Sequence, residues 1–109
     1  MSFEIIATEP FERKLKRLAR KYKSLKSDLS KLIGELETNP QIGDPVGKNC
    51  FKIRFAIASK GRGKSGGGRM ITYVRVAQET IYLIDIYDKS EQSTITDNEL
   101  KLLISILED

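Results

Sequence analysis

At 109 residues the chain is expected to be one domain, residues 1–109, long enough to bury a core without covalent staples. It has no histidine and one cysteine, which excludes an internal disulfide, a Cys/His zinc site and imidazole acid–base chemistry. Nineteen Lys and Arg against fifteen Asp and Glu leave a net charge of +4, a pointer to nucleic acid or to an acidic partner protein.

Phe3, Ile5 and Ala7 alternate with Glu4 and Ile6 and predict a short strand. Thr8-Glu9-Pro10 then reads as a helix start, with Thr8 or Glu9 as cap and Pro10 in the first turn. Phe11, Leu15, Leu18 and Tyr22 form one helical face, with Arg13, Lys14, Lys16, Arg17, Arg20 and Lys21 between them. A second helical stripe, Leu25, Leu29, Leu32, Ile33 and Leu36, ends at Asn39-Pro40, because the residue before a proline avoids helical angles. The two stripes predict a helical hairpin, or one long helix, since no Gly or Pro separates them. Residues 41–49 carry Gly43, Pro45 and Gly47 and read as a loop.

From Cys50 the period becomes two. Phe51, Ile53, Phe55 and Ile57 point one way, Lys52 and Arg54 the other. Met70–Val76 and Ile81–Tyr87 are two further strand patterns, and the short connection Ala77–Thr80 makes them a hairpin. In the last of these, strict alternation puts Tyr82, Ile84 and Ile86 on one face, Asp85 and Tyr87 on the other. Asp88–Ser93 reads as a polar loop. Thr96-Asp97-Asn98-Glu99 is a capping box, and Leu100, Leu103, Ile104 and Leu107 are the stripe of a closing helix. No apolar run approaches the roughly 18 residues of a membrane span, and no secretory signal is evident, so a cytoplasmic protein without a membrane partner is expected. Cys50, with no histidine to activate it, reads as a small packing residue.

Between two strands lies Ser59–Arg69, with Lys60, Arg62, Lys64 and Arg69 and five of the chain's eight glycines. It holds no acid and no apolar side chain, so it is expected to be a cationic loop outside the core. Cations with exposed backbone N–H groups suit a phosphate-rich partner. Gly63-Lys64-Ser65 resembles the end of a nucleotide-binding phosphate loop, but Ala58 stands where that motif needs glycine, and three glycines and a strand follow instead of a helix.

The order of elements, with Lys52-Ile53-Arg54, the Ala58–Gly67 basic-glycine loop, Arg69-Met70-Ile71-Thr72-Tyr73 and Tyr87-Asp88-Lys89-Ser90-Glu91, resembles the RelE/ParE superfamily of bacterial toxins, in particular its HigB-like RelE branch. The resemblance covers most of the chain. It implies an α+β fold. An N-terminal helical hairpin packs on one face of a twisted, mainly antiparallel sheet, cations occupy the other face and rim, and a C-terminal helix closes the core or is displaced to bind another surface. It also implies a ribosome-dependent endoribonuclease that cuts messenger RNA by attack of the 2′-hydroxyl on the adjacent phosphate, leaving 2′,3′-cyclic phosphate and 5′-hydroxyl ends. A cognate antitoxin would silence it, and the pair would bind operator DNA.

The residues can be matched to that chemistry. Without histidine, the groups available to move protons and stabilise charge are lysine, arginine, tyrosine and carboxylate. Arginine forks match phosphate oxygens, so Arg69 and Arg54 are the expected charge stabilisers. Tyr87 would orient the nucleophile or stack on a base, and Lys89 would act as base or hold phosphate. Glu91 is an auxiliary candidate. Lys52, Lys60, Arg62 and Lys64 are expected to grip the backbone of messenger and ribosome. The reaction calls for no cofactor and no metal. Two other functions fit the sequence: a ParE-like inhibitor of DNA gyrase, which would tolerate loss of Tyr87 and Lys89, and a non-catalytic nucleic-acid-binding module acting in operon autorepression.

Overall fold

The computed structural model describes residues 2–61 and 63–107. Strand β1 (Glu4–Ala7) leads into helices α1 (Glu9–Lys21) and α2 (Leu25–Thr38). Strands β2 (Asp44–Gly47), β3 (Cys50–Phe55), β4 (Gly68–Arg75) and β5 (Thr80–Asp88) follow, and helix α3 (Asp97–Ser105) closes the described chain. The sheet order is β1-β5-β4-β3-β2, with β1 parallel to β5 and all other pairs antiparallel. This is the expected α+β architecture.

The helices separate without a Gly or Pro because other bonds hold the corner. Tyr22 is extended at the end of α1. Its hydroxyl donates to Asp88, while Ser24 donates to Asp28 and takes the backbone N–H of Ser59. The hairpin lies on one face of the sheet. Phe11, Leu18, Leu25 and Leu36 are buried there against Ile53, Phe55, Met70, Leu83 and Ile86. Burying each such leucine contributes about 2 kcal/mol. On the opposite face α3 places Leu100 and Ile104 over Cys50, Ile71, Tyr73, Ile84 and Tyr87. Its capping box forms as expected, with Thr96 accepting from the Glu99 N–H and Glu99 accepting in return.

The structure revises four local expectations. Residues 44–47, read as loop, form edge strand β2 on Lys52, Phe51 and Cys50. A bulge interrupts β5: Ile71 faces Asp85, Thr72 faces Leu83, and Ile84 lies between. The alternation therefore slips. Tyr82, Ile84 and Tyr87 pack on the α3 side, while Ile81, Leu83 and Ile86 face the hairpin. Asp88, read as part of a polar loop, is the fully buried last residue of β5. Nor does the glycine loop stay outside the core at its end, where Gly67, Gly68 and Arg69 are buried. A side chain on Gly68 would run into the Phe55 ring, and one on Gly67 into the Phe55 carbonyl, so only glycine lets the loop re-enter the sheet here.

Candidate functional site

Strand pairing builds the site. Arg54 of β3 lies opposite Arg69 of β4, which lies opposite Tyr87 of β5. Directly paired residues share a face, so these three form a row across the sheet on the side covered by α3. The next row is Lys52, Ile71 and Asp85. Arg54 is exposed and Lys52 half-buried at the open side of the row. Arg69 and Tyr87 are only 4% and 2% exposed.

Arg69 is committed to the loop it follows. Its Nη1 donates to the Lys64 carbonyl at 2.9 Å and the Gly68 carbonyl at 3.0 Å, and its Nη2 to the Ser65 carbonyl at 3.4 Å. A charged donor given several carbonyls is a strong tie, so the same guanidinium that faces Arg54 and Tyr87 also folds the loop inward. The Lys89 N–H ties the other side by donating to the Gly67 carbonyl at 3.0 Å. The Lys89 side chain is exposed just beyond β5.

Tyr87 lies beneath Leu100 and Ile104 of α3. Its hydroxyl is buried with no hydrogen-bond partner of ordinary geometry. Burial is the main influence pushing its pKa up, and the Asp85 carboxylate adds to it; the nearby Thr94 side chain and the Arg69 guanidinium act the other way. Asp85, two residues earlier, is also pushed up, first by burial, with Lys14 opposing. Lys14 of α1 reaches its Oδ1 at 2.6 Å.

The remaining candidates lie elsewhere. The Lys60 ammonium donates to Asp88 at 2.6 Å and to Ser90 at 3.1 Å on the hairpin side. Asp88 also accepts from the Tyr22 hydroxyl and from the N–H and hydroxyl of Ser90. Burial pushes Asp88 up, but the bonds from Lys60, Tyr22 and Ser90 outweigh it and hold the carboxyl well below the usual range. Glu91 pairs with Lys21 and Arg17 of α1, each at 3.6 Å, away from the row. Lys64 is exposed on the loop. Arg62 lies outside the described residues.

Thus the fold brings Arg54, Arg69, Tyr87 and Lys52 together, with Lys89 at the strand's end, and sets Lys60 and Glu91 apart. Sequence reasoning missed Asp85, Asp88 and Tyr22. For Asp85 a signal was present, though not its partner: it interrupts the apolar run Leu83–Ile86, and a lone acid inside a doubly covered strand needs a partner.

The family model for the RelE toxin of the RelE/RelB toxin–antitoxin system matches residues 11–107. The chain belongs to the RelE toxin family. Its fold is that of the isolated Escherichia coli RelE toxin, with a TM-score of 0.63 over 96% of this chain and 99% of that one at 16% identity. The toxin in the intact E. coli RelBE toxin–antitoxin complex matches at TM-score 0.62, 17% identity, 80% of this chain and 96% of that one. A metal-bound toxin from Helicobacter pylori is more distant, at TM-score 0.52 and 19% identity over 82% of this chain and 97% of that one. In this RelE-family chain the candidate site is a three-strand row, Arg54–Arg69–Tyr87, with α3 over its buried end.

Proposed function

We propose that this RelE-family chain is the toxin of a type II toxin–antitoxin module and cleaves messenger RNA on the ribosome. The observation that carries the reading is the row Arg54–Arg69–Tyr87, two guanidiniums and a phenol in direct register across three rigid strands. Arg54 and Lys52, at the open side, receive the scissile phosphate. Arg69 stabilises the charge that develops on the phosphorane oxygens. Tyr87 orients the attacking ribose, and the Lys89 ammonium protonates the leaving 5′-oxygen. The charge stabilisation comes from side chains, so the reaction is written without metal or cofactor. Lys64 and Arg62 of the loop grip the ribosomal and messenger backbone.

With α3 seated, Tyr87 is closed to any substrate. Cleavage therefore requires α3 to lift from the sheet, and the ribosome-bound state is one in which RNA covers the row instead. The cognate antitoxin is the natural partner in the cytoplasm, and the pair would act on operator DNA. The burial of Arg69 and Tyr87 favours one second reading, a gyrase inhibitor that uses its surface and not this row.

Pulse labelling after induction separates the two. A messenger-cleaving toxin stops methionine incorporation within minutes while thymidine incorporation continues; a gyrase poison does the reverse. Arg69→Ala is expected to lower cleavage at least about 100-fold, as for loss of a charge-stabilising donor. Tyr87→Phe is expected to lower it about tenfold. Arrest that survives both substitutions would contradict the nuclease reading.

A further inference from the structure

We propose that Asp85 is the proton acceptor of this site, a catalytic carboxylate held by Lys14 and turned toward the row on its other oxygen. The inference rests on the nuclease reading. Three observations support it. Asp85 lies opposite Ile71 and two residues before Tyr87, and both of those side chains pack under α3, so its position shares their face. Its Oδ1 is fully engaged, accepting from Lys14 Nζ at 2.6 Å and from the Ile86 N–H at 3.0 Å. Its Oδ2 is buried with no hydrogen-bond partner among the described residues.

A purely structural ion pair does not need this arrangement. Leaving a buried carboxylate oxygen unpaired destabilises the fold, because the oxygen has lost its water and gained no donor. An unpaired carboxylate oxygen on the face that α3 covers can accept a proton once that helix lifts, and a ribose hydroxyl supplies one. The chain has no histidine for the task. Lys52, Arg54, Arg69 and Lys89 carry cations suited to phosphate.

The 2′-O–H bond breaks and its proton passes to Asp85 Oδ2. The 2′-oxygen forms a bond to phosphorus, the P–O5′ bond breaks, and the 5′-oxygen takes a proton from the Lys89 ammonium. Solvent exchange then returns Asp85 to carboxylate and Lys89 to ammonium. Nothing is oxidised or reduced. The charged groups acting on Asp85 are Lys14 from α1, which favours its ionised form, and Glu99 from α3, which opposes it. Tyr87 on its own strand is the phenol it influences, with Arg69 of β4 acting on that phenol from the other side. When α3 lifts, Glu99 leaves with it and Lys14 stays.

The test is single-turnover cleavage of a defined messenger on programmed ribosomes, run across pH. Asp85→Asn keeps an acceptor for Lys14 and is expected to lower the cleavage rate about 100-fold with binding to the ribosome unchanged. Lys14→Gln changes a half-exposed residue and leaves the fold intact. It removes the cation that favours ionised Asp85, so the acid limb of the rate profile is expected to move to higher pH. A wild-type rate in Asp85→Asn, or an acid limb in Lys14→Gln that coincides with wild type, would overturn the inference alone. Absence of cleavage by the wild-type protein would overturn the nuclease reading and this inference with it.

Discussion

Asp88 sits between Tyr87 and Lys89, yet it faces the other way and does different work. It gathers Lys60 from the loop, Tyr22 from the helical corner and Ser90 from the following turn. Its folded pKa is depressed, so its contribution to stability is present above the unfolded value near about 4 and is lost as pH falls below it. Asp88→Asn is expected to cost about 3 kcal/mol at neutral pH, because it leaves a largely buried lysine without its carboxylate. It should also flatten the fall in Tm expected of the wild type as pH drops below about 5. Thermal melts at a series of pH values check both; an unchanged acid slope in the variant would mean that other carboxylates govern it. Asp85 acts in the opposite sense. Its folded pKa is raised, so its ionisation costs stability as pH rises through that value. At this scale part of the candidate row was legible in the sequence. Arg54, Arg69 and Tyr87 stood out because arginine and tyrosine near a strand suit phosphate chemistry whatever their partners. Asp85 and Asp88 did not, because their partners are 71 and 28 residues away in the chain and only the sheet brings them together.

Among the elements, α3 covers the buried end of the candidate row. It spans only nine residues; Leu102 within it and Ile106 at its C-cap are more than 60% exposed, while Leu100 and Ile104 hold the sheet. A helix this short is marginal by itself, so its seat depends on those two side chains. Beneath it lies Cys50, 1% exposed, with a pKa pushed up to about 12 by burial and opposed only by Lys48. In the native protein the thiol is therefore expected to react with a disulfide reagent at pH 8 at least tenfold more slowly than in a chain ended before Ile95. Leu100→Ala should give an intermediate rate, since a buried Leu→Ala change costs about 2–5 kcal/mol. Equal rates in all three would mean that α3 does not shield this face. The helices were legible in the sequence because their apolar stripes and the Thr96 box act locally. Edge strand β2 was not, because Asp-Pro-Val-Gly has no alternation and is held only by its pairing to β3. The bulge at Ile84 escaped for a related reason. A strand covered on both faces is apolar throughout, and periodicity cannot locate a slipped residue in it.

For the molecule as a whole, the two layers of side chains divide the labour. The hairpin side carries the larger core and anchors the start of the loop through Lys60 and Ser59. The α3 side carries a smaller core built around the row of candidate residues. In the proposed mechanism the α3 face opens while the hairpin face holds the sheet, which keeps Arg54, Arg69 and Tyr87 in register. A net charge of +4 spread over 109 residues is modest for a protein that must find RNA unaided, and fits one that the ribosome positions. The central claim is that this row cuts messenger RNA in the decoding site. Purified protein, a messenger of defined sequence and programmed ribosomes test it in one reaction, read by the position and chemistry of new RNA ends. New 5′-hydroxyl and 2′,3′-cyclic phosphate ends are expected at in-frame codons, formed only when ribosomes are present. Uncut messenger on ribosomes that bind the protein, or equal cutting of free RNA, would contradict it.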